Sequence, residues 1–220
     1  MWEPIFLSLR VSAVATVVAL PLAIWVAHIL ARKSFRGHVV LNGLVHLPLV
    51  LPPVVTGYLL LVVFGKSGVI GGLLFDWFGF TFAFRWTGAA LAAAIMGFPL
   101  MVRAIRLGFE AVDAGLEDAA RTLGASDLRV FRTITLPLIA PAIVAGAVLG
   151  FAKALGEFGA TITFVAAIPG QTQTIPSAIY GLLQVPGQES AVVVLVSISV
   201  ALAMGALVAS EWLARRMVAR

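Results

Sequence analysis

Five long apolar runs, near residues 9–31, 40–64, 87–108, 135–158 and 190–213, organise the chain, and its polar residues gather in the short stretches between them. A bilayer core takes about 20 apolar residues of helix, so each run predicts one crossing. The connections leave no length for a separate soluble unit, and the expectation is a single membrane domain over 1–220. The second run holds Pro48, Pro52 and Pro53. Each proline removes a backbone donor and clashes with the preceding turn, which predicts a kinked or broken helix. Thr56, Gly57 and Tyr58 follow and are candidates to line a pathway, with a packing role equally compatible. Residues 65–86 read as a connection rich in Gly and in boundary aromatics such as Trp77 and Trp86.

The pattern changes over 113–127. Asp113 suits a helix start, and Glu117 and Asp118 fall in its first two turns, where negative charge matches the helix dipole. Leu116, Ala119, Ala120 and Leu123 recur at i, i+3, i+4 and i+7, a narrow apolar stripe. Gly124 stands where a left-handed cap ends such a helix. Ser126 then offers a second cap, with Asp127 behind it, and Pro137 and Pro141 follow as the chain re-enters the membrane. The segment predicts helix, sharp turn, helix. The stripe fits either a partner's groove or the bilayer surface; its narrowness and the acidic residues beside it favour the partner. Each leucine would contribute about 1.5–3 kcal/mol on full burial.

Composition places this pattern in lipid: 61% of residues are hydrophobic, 11% are charged, and the mean hydropathy is +1.06. Eleven of the fifteen Lys and Arg residues share one side of the proposed crossings: Arg32, Lys33, Arg36, Arg103, Arg106, Arg121, Arg129, Arg132, Arg215, Arg216 and Arg220. Lys66 and Arg85 fall on the other. The excess predicts a cytoplasmic C-terminus and, with five spans, an external N-terminus. The start Met1-Trp2-Glu3-Pro4 lacks the basic stretch of a cleavable signal. The net charge of +5 belongs beside anionic lipid rather than nucleic acid.

No catalytic set converges in the sequence. His28, His38 and His46 lack metal-ligand spacing, and there is no cysteine. Gly65-Lys66-Ser67 imitates the end of a phosphate loop, but Leu60 stands where the first glycine belongs. No nucleotide, metal or cofactor site is expected in this chain.

Lys153 and Glu157 lie four apart toward the end of the fourth run, and ionisable groups at depth mark function or a paired latch. A bare carboxylate repels an anion, so Lys153 is the group to help an oxyanion along, with Glu157 organising the mouth. Thr161, Thr163, Thr172, Thr174 and Ser177 offer neutral donors over an external segment, 159–189, without Lys or Arg. Thr174 ahead of Pro176 predicts a small helix through Leu183, a gate or an ordinary loop element. Gly146 and Gly150 form a G-x-x-x-G step suited to helix packing.

Ala119-Ala120, Gly124, Ile134 and Leu136-Pro137 resemble the EAA loop of ABC importer permeases, with Asp118 at the family's acidic position and Glu117 before it. The stretches HLPLVLPPVV (46–55), DWFG (76–79), GEFGATITF (156–164) and IPSAIY (175–180) resemble the permeases of molybdate importers, over roughly residues 5–215. The resemblance implies an all-α integral protein of the bacterial inner membrane with about five transmembrane helices. It implies a cytoplasmic coupling helix formed by Leu116, Glu117, Asp118, Ala119, Ala120, Leu123 and Gly124. It further implies a homodimer, two cytoplasmic ATPase subunits that hold ATP and magnesium, and an external oxyanion-binding protein. Candidate pathway residues are Thr56, Lys153, Glu157, Thr161 and Thr163. A sulfate, thiosulfate or tungstate permease, or a stand-alone channel or secondary transporter, is the alternative.

Overall fold

In lipid, helices gain nothing from hiding apolar surface from one another, so close packing must hold them together. The sequence meets this with a helix of small residues at its centre. The computed structural model describes residues 2–218, without the side chains of 210, 213–215, 217 and 218. The Arg215 side chain and all of Arg220 therefore lie outside the described residues. Every regular element among the described residues is helical.

Helix α1 (Trp2–Arg32) begins seven residues ahead of the first apolar run, because Glu3 and Pro4 suit a first helical turn. Helices α2 (His38–Val50) and α3 (Pro53–Phe64) divide the second run. They meet at 113°, a turn well past a kink. The cause is local: Leu51 and Pro52 are both extended, as a residue ahead of a proline tends to be, and Pro53 opens the next helix. Helix α4 (Val69–Phe78) lies within the stretch expected to be a plain connection, and it ends on a left-handed Gly79.

Helix α5 (Trp86–Ala111) is central. Ala89, Ala92 and Ala93 are wholly buried along it, as are Val102, Ile105 and Phe109. Helix α1 packs on one side of it and α8 (Leu136–Leu155) on another. The α5–α8 crossing uses the predicted glycine step: a Cβ on Gly146 would lie 3.2 Å from the Met101 carbonyl oxygen, and one on Gly97 would lie 3.1 Å from that of Gly150. Between α5 and α8 come α6 (Ala114–Thr122), α7 (Asp127–Val130) and one π turn over Phe131–Thr135. The helix is thus continuous from Asp127 to Leu155.

Helix α9 (Gly159–Val165) is a second correction to the sequence reading, which treated 159–189 as an external segment with one small helix. Phe164 and Val165 are fully buried, and α9 packs on α3 and α5. Helix α10 (Ile175–Leu182) forms where Thr174 and Pro176 predicted it. Helix α11 (Glu189–Val218) is mostly exposed, with Leu195 inserted beside Ile5, Ile175 and Ala178. Among the described residues four helices are long and apolar enough to cross a membrane, and the α2–α3 pair is the fifth when the bent pair counts as one crossing.

The bent pair depends on a close approach of backbones. A Cβ on Gly57 would meet the Ala160 carbonyl oxygen at 2.5 Å and the Thr163 Cβ at 2.9 Å. Gly57→Val should therefore separate α3 from α9 at a cost of about 1–3 kcal/mol. A thermal melt of the detergent-solubilised protein checks this; an unchanged midpoint would mean that the contact contributes little.

Candidate functional site

The segment that links α5 to the fourth crossing builds its own ends. The Asp113 carboxylate accepts the Gly115 amide at 2.8 Å and starts α6. At the other end Gly124 has φ +87°, which lets the Ala125 amide reach back to the Ala120 carbonyl at 3.0 Å. Ser126 occupies the second cap position, but its side chain makes no cap bond. Arg121 reaches across the turn instead, to Asp127 at 2.9 Å and to Asp118 at 2.8 Å. These bonds, that of Asp127 first, raise its pKa above the ordinary arginine value. The triad is open to solvent and contributes little stability.

The apolar stripe of α6 does not face the membrane bundle. Leu123 is 89% exposed, Leu116 is 50% exposed, and Ala119 is open beside them. The buried residue of the helix is Glu117. Its Oε1 accepts the Thr135 hydroxyl at 2.6 Å and pairs with Arg32 Nη2 at 3.3 Å, and Arg32 also donates to the Val112 carbonyl at 3.4 Å. One carboxylate thus ties α6 to the end of α1 and to the π turn that opens α8. Asp118, the other acid of the pair, faces outward. Arg32 read in sequence only as a topology charge and Thr135 was not singled out, since they lie 85 and 18 residues from Glu117. The one available signal was an acidic residue just off the apolar stripe.

The candidate pathway residues fall into two groups. Lys153 and Glu157 pair at 2.7 Å, but not because they share a helical face: α8 ends at Leu155, and Glu157 lies beyond it. The Glu157 side chain is only 1% exposed, that of Lys153 29%. The second Glu157 oxygen accepts the Ala160 amide at 2.9 Å, at the start of α9. Thr161 donates to the Phe158 carbonyl at 2.9 Å, and Thr163 donates to that of Gly159 at 2.9 Å. Thr172 and Ser177 are likewise buried and bonded to backbone carbonyls. The Thr161, Thr172 and Ser177 hydroxyls thereby satisfy backbone where the chain enters and leaves α9 and enters α10, while that of Thr163 bonds within α9. Thr56, on α3, is buried with no hydrogen-bond partner.

A bundle of apolar helices around a small-residue core, with a short helix pinned beneath it and its apolar stripe outward, defines a polytopic α-helical membrane subunit. The chain belongs to the family described as binding-protein-dependent transport system inner membrane component, which it matches over residues 19–219. It is 62% identical to the molybdenum transport system permease protein ModB of Escherichia coli strain K12, over 97% of this chain and 93% of that one. To sulfate permease 2 of the Chlamydomonas reinhardtii chloroplast it is 39% identical, over 81% of this chain and 48% of that one. Among solved structures, it superposes with a TM-score of 0.74 and 18% identity on a chain of a bacterial alginate ABC transporter in complex with a pentasaccharide-bound periplasmic protein. That match covers 98% of this chain and 78% of the other, and it shows a shared fold.

The Glu157 geometry gives a directional prediction. Exchanging Lys153 and Glu157 keeps the ion pair but sets an ammonium, which only donates, against the Ala160 amide, which also donates. The exchanged protein should lose about 1–3 kcal/mol. Its melting midpoint should fall below that of Lys153→Met; an exchange that melts like the parent would mean that the amide contact is idle.

Proposed function

We propose that this chain is the permease subunit of an ATP-driven molybdate importer and works as two copies with two cytoplasmic ATPase subunits and an external binding protein. The observation that carries the reading is α6, fastened to two spans by buried Glu117 while Leu116, Ala119 and Leu123 stand open. A helix in that state is a handle. An ATPase cleft that closes on the stripe would pull on α1 and α8 together through Arg32 and Thr135, and the spans would swing between inward-open and outward-open. ATP and magnesium belong to the ATPase in this scheme. Molybdate is the favoured cargo because the relative named for molybdenum transport matches at high identity over nearly the full length of both chains.

The eleven basic residues on the side of α6 support a cytoplasmic docking face, with the N-terminus outside and the C-terminus inside. Lys153 and Glu157 serve as a latch between α8 and α9, since the carboxylate is enclosed and neutralised. Among the candidate pathway residues Thr56 keeps an unused hydroxyl, and it is the one to line the passage near the α2–α3 break.

The direct test is uptake of radiolabelled molybdate into vesicles that hold this chain, its ATPase and its binding protein, with excess sulfate as competitor. Uptake that resists sulfate and stops without the ATPase is expected. Uptake without the ATPase would sink the reading, and uptake abolished by sulfate would move the cargo to sulfate. A second test concerns docking. A Cβ at Gly124 meets open space, so Gly124→Val acts through backbone conformation alone, at about 1–2 kcal/mol. It should weaken co-purification of the ATPase while membrane insertion stays intact, and undiminished co-purification would count against α6 as the handle.

A further inference from the structure

Helix α5 carries Arg103, Arg106, Leu107 and Glu110 at i, i+3, i+4 and i+7, a charged face on a membrane-spanning helix. Asn42 and His46 of α2 stand opposite, and the six residues line a cavity of about 270 Å³. The polar groups are partly committed. Arg106 pairs with Glu110 at 2.7 Å and donates to the Asn42 side-chain oxygen at 3.2 Å, while His46 Nδ1 donates to the Asn42 carbonyl at 2.9 Å. That leaves the Asn42 amide nitrogen free to donate. Arg103 is exposed and has no hydrogen bond or ion pair among the described residues. Since Glu110 balances Arg106, the cluster holds one unbalanced positive charge, on Arg103.

Its depth makes this informative. Arg103 lies eight residues before the end of α5, or about 12 Å along the axis. His46 lies equally far along α2 from His38, which bonds to the Leu30 carbonyl near the end of α1 at 2.9 Å. A free guanidinium there is costly against hydrocarbon and belongs against a water-filled cavity. The exposed face of α1, in contrast, is apolar at Val17, Val18, Leu22 and Trp25, as lipid requires.

We propose that Arg103, with the Asn42 amide beside it, forms an inner station for a divalent tetrahedral oxyanion in the cytoplasmic half of the pathway. The proposal rests on the permease reading above. In a pair of copies each contributes one unbalanced charge, and two such charges match a divalent anion. The five guanidinium donors are open to water, and nothing encloses the anion, so the station attracts it without trapping it.

The chain contains no cysteine, so a single introduced thiol reports on one position. The test uses the complete transporter in lipid nanodiscs. Leu107→Cys, on the same face and 60% exposed, should react with a charged, water-soluble thiol reagent, as should the loop control Ser34→Cys. Molybdate should slow the first reaction and not the second. A Leu107→Cys thiol that stays unreactive while Ser34→Cys reacts would put the face in lipid and overturn the proposal. Equal labelling with and without oxyanion would overturn it as well. In vesicles, Arg103→Gln should lower uptake by about tenfold, and Arg103→Lys should stay within about threefold of the parent, as expected for loss or retention of one charge-assisted contact. Parent-level uptake by Arg103→Gln would overturn the station. Should Arg103→Gln fail to assemble, the Leu107→Cys labelling decides alone. A parent complex that imports sulfate but not molybdate, with Leu107→Cys protected by sulfate, would sink the molybdate reading and support the station.

Discussion

Close backbone approach around α5 is the constraint on which the rest of the structure depends. Hydrocarbon does not drive helices together, so association must come from van der Waals contact and from the few polar groups that cannot face lipid. Alanines at 89, 92 and 93 and glycines at 97, 146 and 150 let α1 and α8 lie against α5 at short range. That packing fixes where α1 and α8 end, and the two buried carboxylate junctions are built on those ends.

Two of these junctions share one design at opposite ends of α8. At its start, Glu117 is buried between the Thr135 hydroxyl and half-open Arg32. Past its end, Glu157 is buried between the Ala160 amide and half-open Lys153. In both, a carboxylate takes one hydrogen bond from a neutral donor and one from a cation; at Glu157 each oxygen takes one, whereas at Glu117 both fall on Oε1. The consequence differs with place. The Glu157 junction closes a break in the helix and is a brace. The Glu117 junction joins α6 to two spans while the opposite side of α6 stays open, the connection on which the proposed handle depends.

The proline cluster makes the third structural decision. Leu51 and Pro52 turn the chain through 113°, and α3 then packs on α9 through Gly57. The non-helical chain on either side of α9 is accepted there because buried Thr161, Thr172 and Ser177 hydroxyls donate to its carbonyls at Phe158, Ala166 and Thr174, the condition under which such chain is tolerated in a membrane protein. Thr161 and Thr172, which read in sequence as donors for a passing anion, are spent on that backbone. Arg103, which makes no hydrogen bond or ion pair among the described residues, read in sequence only as a topology charge.

The long apolar runs, the break at the prolines, and both ends of α6 were legible in the sequence, because hydrophobic period, proline sterics and helix capping act within a few residues. Helices α4 and α9 were not. They are only ten and seven residues long; α9 forms where α3 and α5 cover it, and α4 folds back against the end of α3 with Gly71 as its buried residue. The pairing of Lys153 with Glu157 was legible, but its cause was not, since the helix that should have aligned them ends between them. Only the tertiary structure decided that Glu117 turns inward while Asp118 and the apolar stripe turn outward. Sequence spacing orders the residues around a helix; which side is buried depends on what stands opposite, and here a cation 85 residues away claimed the acid.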